Sequence, residues 1–180
     1  GLLGTFDEIE FWFLNPEIAL SMSQNDIGFS TARPGTTVYS DTLLIGNNAE
    51  PGSGVLLDMY IAGTDFYDTR DFGTKCPLTN KLSLEQFSYY ASNGAYSTSG
   101  FPSADDEGYI SIPYGDKISQ GKEILGEDFY PGTGDPFNID NRRNILTPGA
   151  KMALTFKVEM PEPCNGNFDS GDIFFWGEAI

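Results

Sequence analysis

With no histidine among its 180 residues, this chain has no Ser–His or Cys–His nucleophile pair, no HExxH metalloprotease motif and none of the usual catalytic zinc ligand sets. No glycine-rich fingerprint leads from a strand into a helix, so nucleotide binding finds no support. Paired carboxylates, as in glycoside hydrolysis, are the catalytic chemistry left over. Among 26 acidic residues close pairs arise by chance, and nothing in their spacing marks two of them, so the chain reads as a non-enzyme. Calcium is the next candidate. Asp135 and Asp140 flank a turn, and the run from Asn165 through Asp169 to Asp172 is dense in oxygen ligands. That run lacks EF-hand spacing, and Asn/Asp/Gly loops ordinarily turn their side chains onto their own backbone. No cofactor is therefore expected; Asp169 and Asp172 are the residues that would carry Ca²⁺ if one were bound. Cys76 and Cys164, each beside a proline, do not have zinc spacing. In an oxidising compartment they would form one disulfide, with two buried free thiols as the alternative.

The net charge of −16 argues against nucleic acid and against anionic membrane surfaces, both of which need clustered Lys and Arg. No apolar run approaches the length of a membrane span. Gly1 in place of methionine is what a removed secretion leader leaves behind, and deliberate trimming leaves the same mark. Two tryptophans and nine tyrosines raise a further candidate, a module that stacks sugars on exposed rings. Trp176, however, lies among Ile173, Phe174 and Phe175, which makes both faces of its strand apolar and predicts a central position in a sheet.

Aromatics at 14%, with 21 glycines and 11 prolines, favour short strands punctuated by turns. The expected architecture is an all-β antiparallel sandwich of jelly-roll or Ig-like type, residues 15–180, with an irregular, insertion-rich stretch over about 63–143. Residues 17–23 alternate with Ile18, Leu20 and Met22 inward. Residues 27–29 form a short strand, and Pro34-Gly35 suits a type II turn. Residues 36–45 read as one long strand and 55–61 as the next, the two expected to pair antiparallel. In the middle stretch, 87–91 and 109–113 are strand candidates. After a second Pro-Gly turn at 148–149, Met152, Leu154, Phe156, Val158 and Met160 make a strict inward face. The chain closes in a strand over 172–180.

Residues 1–14 are a strand by alternation. Leu3, Ile9, Phe11 and Phe13 fall on one face, and Phe6, Glu8, Glu10 and Trp12 on the other. So much aromatic surface requires a partner, either the chain's own sheet or another copy's. Asn15-Pro16 interrupts pairing after it.

The segments Ile18-Ala-Leu-Ser-Met-Ser, Ile27-Gly-Phe, Arg33-Pro-Gly-Thr-Thr-Val, Leu44-Ile-Gly-Asn-Asn and 55–63, with Leu146-Thr-Pro-Gly-Ala, Leu154-Thr-Phe-Lys-Val and Phe174-Phe-Trp-Gly-Glu-Ala near the end, resemble secreted TasA/camelysin-type biofilm fibre subunits and the related archaeal bundling-pilus proteins. The resemblance covers roughly the first third and last fifth of the chain. It implies a jelly-roll-like sandwich that polymerises when an N-terminal strand of one subunit completes the sheet of the next. Residues 1–14 match that donor, with Leu3, Phe6, Ile9, Phe11, Trp12 and Phe13 as interface residues. Camelysins have been described as metalloproteases; with no histidine here, that activity is not implied. The resulting expectation is a secreted structural subunit whose partners are identical subunits. A non-polymerising extracellular module that binds carbohydrate or protein is the alternative.

Overall fold

The computed structural model describes residues 18–29, 32–70, 73, 75–77, 79–126 and 143–180. The candidate donor residues Leu3, Phe6, Ile9, Phe11, Trp12 and Phe13, and the acids Asp135 and Asp140, lie outside the described residues.

The described residues form an antiparallel β-sandwich. The wider sheet is built on the long strand β11 (Lys151–Glu159), whose alternation places Met152, Leu154, Phe156 and Val158 in the core, each at most 2% exposed. One edge of β11 pairs with β7 (Phe87–Asn93). The other edge is shared by β2 (Thr37–Tyr39) and β3 (Leu43–Asn47). β1 (Leu20–Met22) lies outside β3. The far edge of β7 is covered in two pieces, by β8 (Tyr96–Ser97) and β9 (Ile110–Ser111). Between them the Ala91 N–H is taken up by the buried Thr98 Oγ1 at 3.1 Å, which in turn donates to Gly108 O at 2.7 Å.

The opposing sheet is narrower. β4 (Leu57–Gly63) lies between β10 (Lys122–Glu123) and β12 (Ile173–Ala179). Leu57, Met59 and Ile61 of β4 face Ile45, Leu154 and Phe156 across a continuous apolar core. A small hairpin of β5 (Phe66–Tyr67) and β6 (Lys81–Leu82) closes one end.

Both Pro-Gly turns form as the sequence predicts. Gly35 and Gly149 adopt φ of 72° and 83°, and the turns close through Thr36 N–H to Arg33 O and Ala150 N–H to Thr147 O. The middle stretch supplies β7, a principal strand of the wider sheet, together with short hairpins and one-turn 3-10 helices such as Leu84–Gln86. Cys76 and Cys164 are joined in a disulfide across 88 positions. Among the described residues no helix is long and apolar enough to cross a membrane.

Four expectations are corrected. Residues 36–45 and 55–61 do not pair, because β3 has both edges occupied by β1 and β11, and β4 has both occupied by β10 and β12. They lie in opposite sheets. The expected long strand 36–45 is broken around Ser40: Tyr39 pairs with Lys157 and Leu43 with Leu154, so one extra residue is accommodated on the β2–β3 side as a bulge. Ser40 holds the break by donating N–H to Phe156 O and accepting Phe156 N–H on its hydroxyl, both at 2.9 Å. Ile18 and Met22 are not buried. They are 51% and 45% exposed, although Met22 pairs with the fully buried Ile45 and so shares its inward face. Finally, the strand that reads as central pairs with β4 alone among the described residues and is an edge strand among them.

Candidate docking edge and groove

The exposure of Ile18 and Met22 and the one-sided pairing of β12 both belong to a sandwich whose sheets differ in width. Among the described residues the wider sheet carries β1 beyond β3, while the narrower one ends at β12. Ile173 and Phe175 on β12 face the core, where the Phe175 ring meets Phe156 edge-on with centroids 6.4 Å apart. Phe174 and Trp176 point to the opposite face and stack at 5.6 Å. The first five residues of β12 are half-buried on both faces, unlike an edge strand adapted to water by charge or proline.

A groove opens where β12 begins. One part, of about 380 Å³, is lined by Ile27, Phe29, Phe66, Phe87 and Phe168; a second, of about 430 Å³, shares four of these residues and extends to Asp172 and Ile173. Its walls are held in place by local chemistry. Phe66 stacks on Phe87 at 4.5 Å, and Phe29 meets Phe87 edge-on at 5.9 Å. Phe29 is placed by its bridge to Ser40, the residue at the bulge. On the other wall, Asp169 accepts from the Thr69 backbone N–H at 3.2 Å and its hydroxyl at 2.9 Å, which holds the Asp169 carboxyl below the usual range. Asp172 N–H donates to Thr64 Oγ1 at 3.1 Å. The acids singled out for Ca²⁺ thus sit in the groove wall: Asp169 fastens the loop that carries Phe168, and Asp172 is tied through its backbone. Among the described residues no three His, Cys, Asp or Glu side chains gather as a metal-ligand set. The disulfide lies behind this wall, beside the bridge between Lys75 and Asn165.

On the outer face of the narrower sheet, register brings Trp176 beside Tyr60 and Glu178 beside Asp58. The Tyr60 hydroxyl stands 3.2 Å from Asp58 Oδ2 and 3.3 Å from Glu123 Oε1. Burial raises the Asp58 carboxyl, and burial together with the neighbouring carboxylates raises the Tyr60 phenol well above its ordinary value. The face is an aromatic platform edged with acids.

The sequence reading missed Ile27, Phe29, Phe66 and Phe168 as groove residues. Ile27 and Phe29 read as a short strand, which in the structure is reduced to a single bridge at Phe29, and Phe66 and Phe168 as apolar side chains in turn-rich stretches; only the fold gathers them. A phenylalanine set among Asn167, Asp169 and Ser170 was the available signal, since a solvated turn has no use for one.

The described residues define an all-β sandwich in which β12 pairs with β4 alone. No family model matches the chain, and no curated protein matches it. A solved structure of AvmM, described as catalysing macrocyclization in alchivemycin A biosynthesis, is 14% identical over 92% of this chain and 75% of that one, with a TM-score of 0.42. A likeness that distant carries no argument about chemistry.

Proposed function

We propose that this chain is a structural subunit of an extracellular filament, in which residues 1–14 of one copy add as a strand beside β12 of the next. The observation that carries the reading is the mismatch in sheet width. Among the described residues β12 presents an edge with apolar residues on both faces, and in the wider sheet the inward Met22 of β1 is exposed. Residues 1–14 are an alternating apolar segment of strand length in the same sequence, and so suit that edge. Strand addition supplies backbone hydrogen bonds along an edge, while alternate side chains fill a groove. Each large apolar side chain so buried contributes about 1.5–3 kcal/mol. The disulfide fits an oxidising, extracellular setting. The resemblance to TasA/camelysin-type and bundling-pilus subunits points the same way.

Deleting residues 1–14 tests this. The truncated protein should be monomeric by size exclusion, and a peptide of residues 1–14 added in trans should raise its melting temperature, by up to about 2.7 kcal/mol of stabilisation at a hundredfold excess over Kd. The full-length chain should form fibres visible in negative stain. Fibres from the truncated protein would sink the donor role; a full-length chain that stays monomeric would instead place residues 1–14 in its own sheet.

The outer face of Tyr60, Phe174 and Trp176 supports a second reading, a carbohydrate-binding module: rings stack on sugar faces while Asp58 and Glu178 accept from hydroxyls. Sugar-dependent quenching of tryptophan fluorescence, lost in Trp176→Ala, tests it.

A further inference from the structure

Lys157 interrupts the apolar centre of β11 on its outward side, and its side chain is only 6% exposed. A buried ammonium needs close partners. Its Nζ donates to Asp105 Oδ2, lies 3.4 Å from Glu107 Oε2 and 3.5 Å from Glu159 Oε1, and sits 5.1 Å from the centre of the Tyr109 ring. Tyr39 and Tyr90 pack against Tyr109, so rings wall the site on the sheet side.

Asp105 is tied to its own loop as well as to Lys157. Its loop is closed by Asp105 N–H to Tyr109 O at 2.9 Å and Gly108 N–H to Asp105 O at 3.0 Å. Its other carboxylate oxygen, Oδ1, accepts two backbone N–H groups, from Glu107 at 2.9 Å and Tyr109 at 2.8 Å. One oxygen is therefore gripped by a pair of main-chain donors while the other faces an amine. That is the arrangement of an oxyanion hole around an acyl carbon. Glu107 reaches the same nitrogen, and both of its carboxylate oxygens accept from the Tyr39 hydroxyl at 2.9 Å, which fixes its orientation.

We propose that Lys157 and Asp105 condense to an intramolecular amide, with Glu107 as the proton carrier. A proton passes from Nζ to Oδ2, converting ammonium and carboxylate into amine and carboxylic acid with no change in net charge. Nζ then attacks Cγ, and the charge that develops on Oδ1 falls on the Glu107 and Tyr109 N–H groups. Glu107 takes a proton from the attacking nitrogen and returns it to Oδ2. The Cγ–Oδ2 bond breaks, the Nζ–Cγ bond remains, and Oδ2 leaves as one water. No oxidant, reductant or activated co-substrate is required. The water departs on the side where Asp105 and Glu107 reach solvent, their side chains being 38% and 51% exposed.

In the unreacted pair, burial works against both charges, and the bond between the two groups outweighs it, holding Asp105 below and Lys157 above their ordinary values. Amide formation removes both charges from the site. The opening proton transfer runs against both shifts, and positioning must offset it: well-oriented intramolecular groups reach effective molarities of about 10⁵–10⁸ M. The product ties the loop before β9 covalently to β11, the strand on which the wider sheet is built.

Intact-mass spectrometry of the folded full chain, after reduction of the disulfide, is the test. The expected mass is one water below the sequence mass, and proteolysis should yield a branched peptide joining Asp105 and Lys157. Asp105→Ala and Lys157→Met should return to their sequence masses. Asp105→Asn should reach the same final mass as the unaltered protein, because ammonia leaves in place of water. Glu107→Gln should leave an unreacted fraction at times when the unaltered protein is fully converted. An unaltered protein at its full sequence mass, with linear peptides covering both residues, overturns the proposal. So does a water loss that maps to any other residue.

Discussion

Replacing Asn47 with alanine should cost this fold about 2.5–7.5 kcal/mol, far more than one exposed polar side chain would suggest. Asn47 is 1% exposed at the end of β3. Its Nδ2 donates to Val55 O and Leu146 O, both at 2.8 Å, and its Oδ1 accepts Ala49 N–H at 3.0 Å. The Leu146 carbonyl keeps a second donor, Leu57 N–H at 3.0 Å, so its loss is that of an ordinary hydrogen bond, about 0.5–1.5 kcal/mol. Val55 O and Ala49 N–H are stranded, and each buried orphan costs about 1–3 kcal/mol. The neighbouring Asn48 is exposed, and Asn48→Ala should stay within about 0.5 kcal/mol. Guanidinium titration of both variants separates the two, with the midpoint moving for Asn47→Ala and the slope unchanged. If Asn47→Ala unfolds within 1 kcal/mol of the unaltered protein, as roughly as Asn48→Ala does, the side chain does not hold the chain's crossing between sheets.

Reducing the Cys76–Cys164 disulfide should lower stability by about 4–5 kcal/mol on the chain-entropy estimate for so long a loop, read as a drop in denaturation midpoint with and without reductant. Thr98→Val preserves shape but strips the hydroxyl that serves Ala91 N–H and Gly108 O; a loss of about 1–3 kcal/mol in chemical denaturation is expected, and a neutral result would mean the gap between β8 and β9 needs no side-chain partner. Burial pushes the Asp65 carboxyl up, but the Leu84 N–H and Lys81 outweigh it and hold the group below its usual range. Its contribution is therefore complete above the unfolded carboxylate pKa of about 3.9 and is lost as pH falls through the lower folded value. Asp65→Asn should flatten the acid limb of a stability-versus-pH curve; an unchanged limb would remove Asp65 from the account.

Alternation in β11 identified four buried residues and Met160, which packs against them, because a strand that pairs on both edges and covers a core shows its period directly. The strand candidates at 87–91 and 109–113 appear as β7 and β9, and the Pro-Gly pairs close turns, since glycine alone enters the required conformation freely. Partner choice was not readable. A period of two assigns faces and says nothing about neighbours, so β3 and β4, adjacent in sequence and alike in composition, were paired when they face each other across the core. The bulge at Ser40 was equally hidden, because the extra residue is defined only against β11. The Asn-Asn pair at 47–48 was noticed as a pattern, yet its physical role required knowing that Val55 and Leu146 converge there. Lys157 falls between the inward residues of β11, on the outward side where lysine is ordinary. Only the loop folded over it from Asp105 to Tyr109 makes that position unusual.

The position of β11 has a consequence for how the chain acquires its fold. Met152 pairs with Ile45 and Val158 with Val38, so the strand at the centre of the wider sheet is made long after the strands it must join. β12, the partner of β4, comes later still. Until those segments emerge, β3, β4 and β7 each keep one edge without its native partner. Pairings so distant in sequence place folding at the slow end for small domains, on the order of milliseconds to seconds. The interval before β11 docks is when the chain is most open to joining the wrong edge.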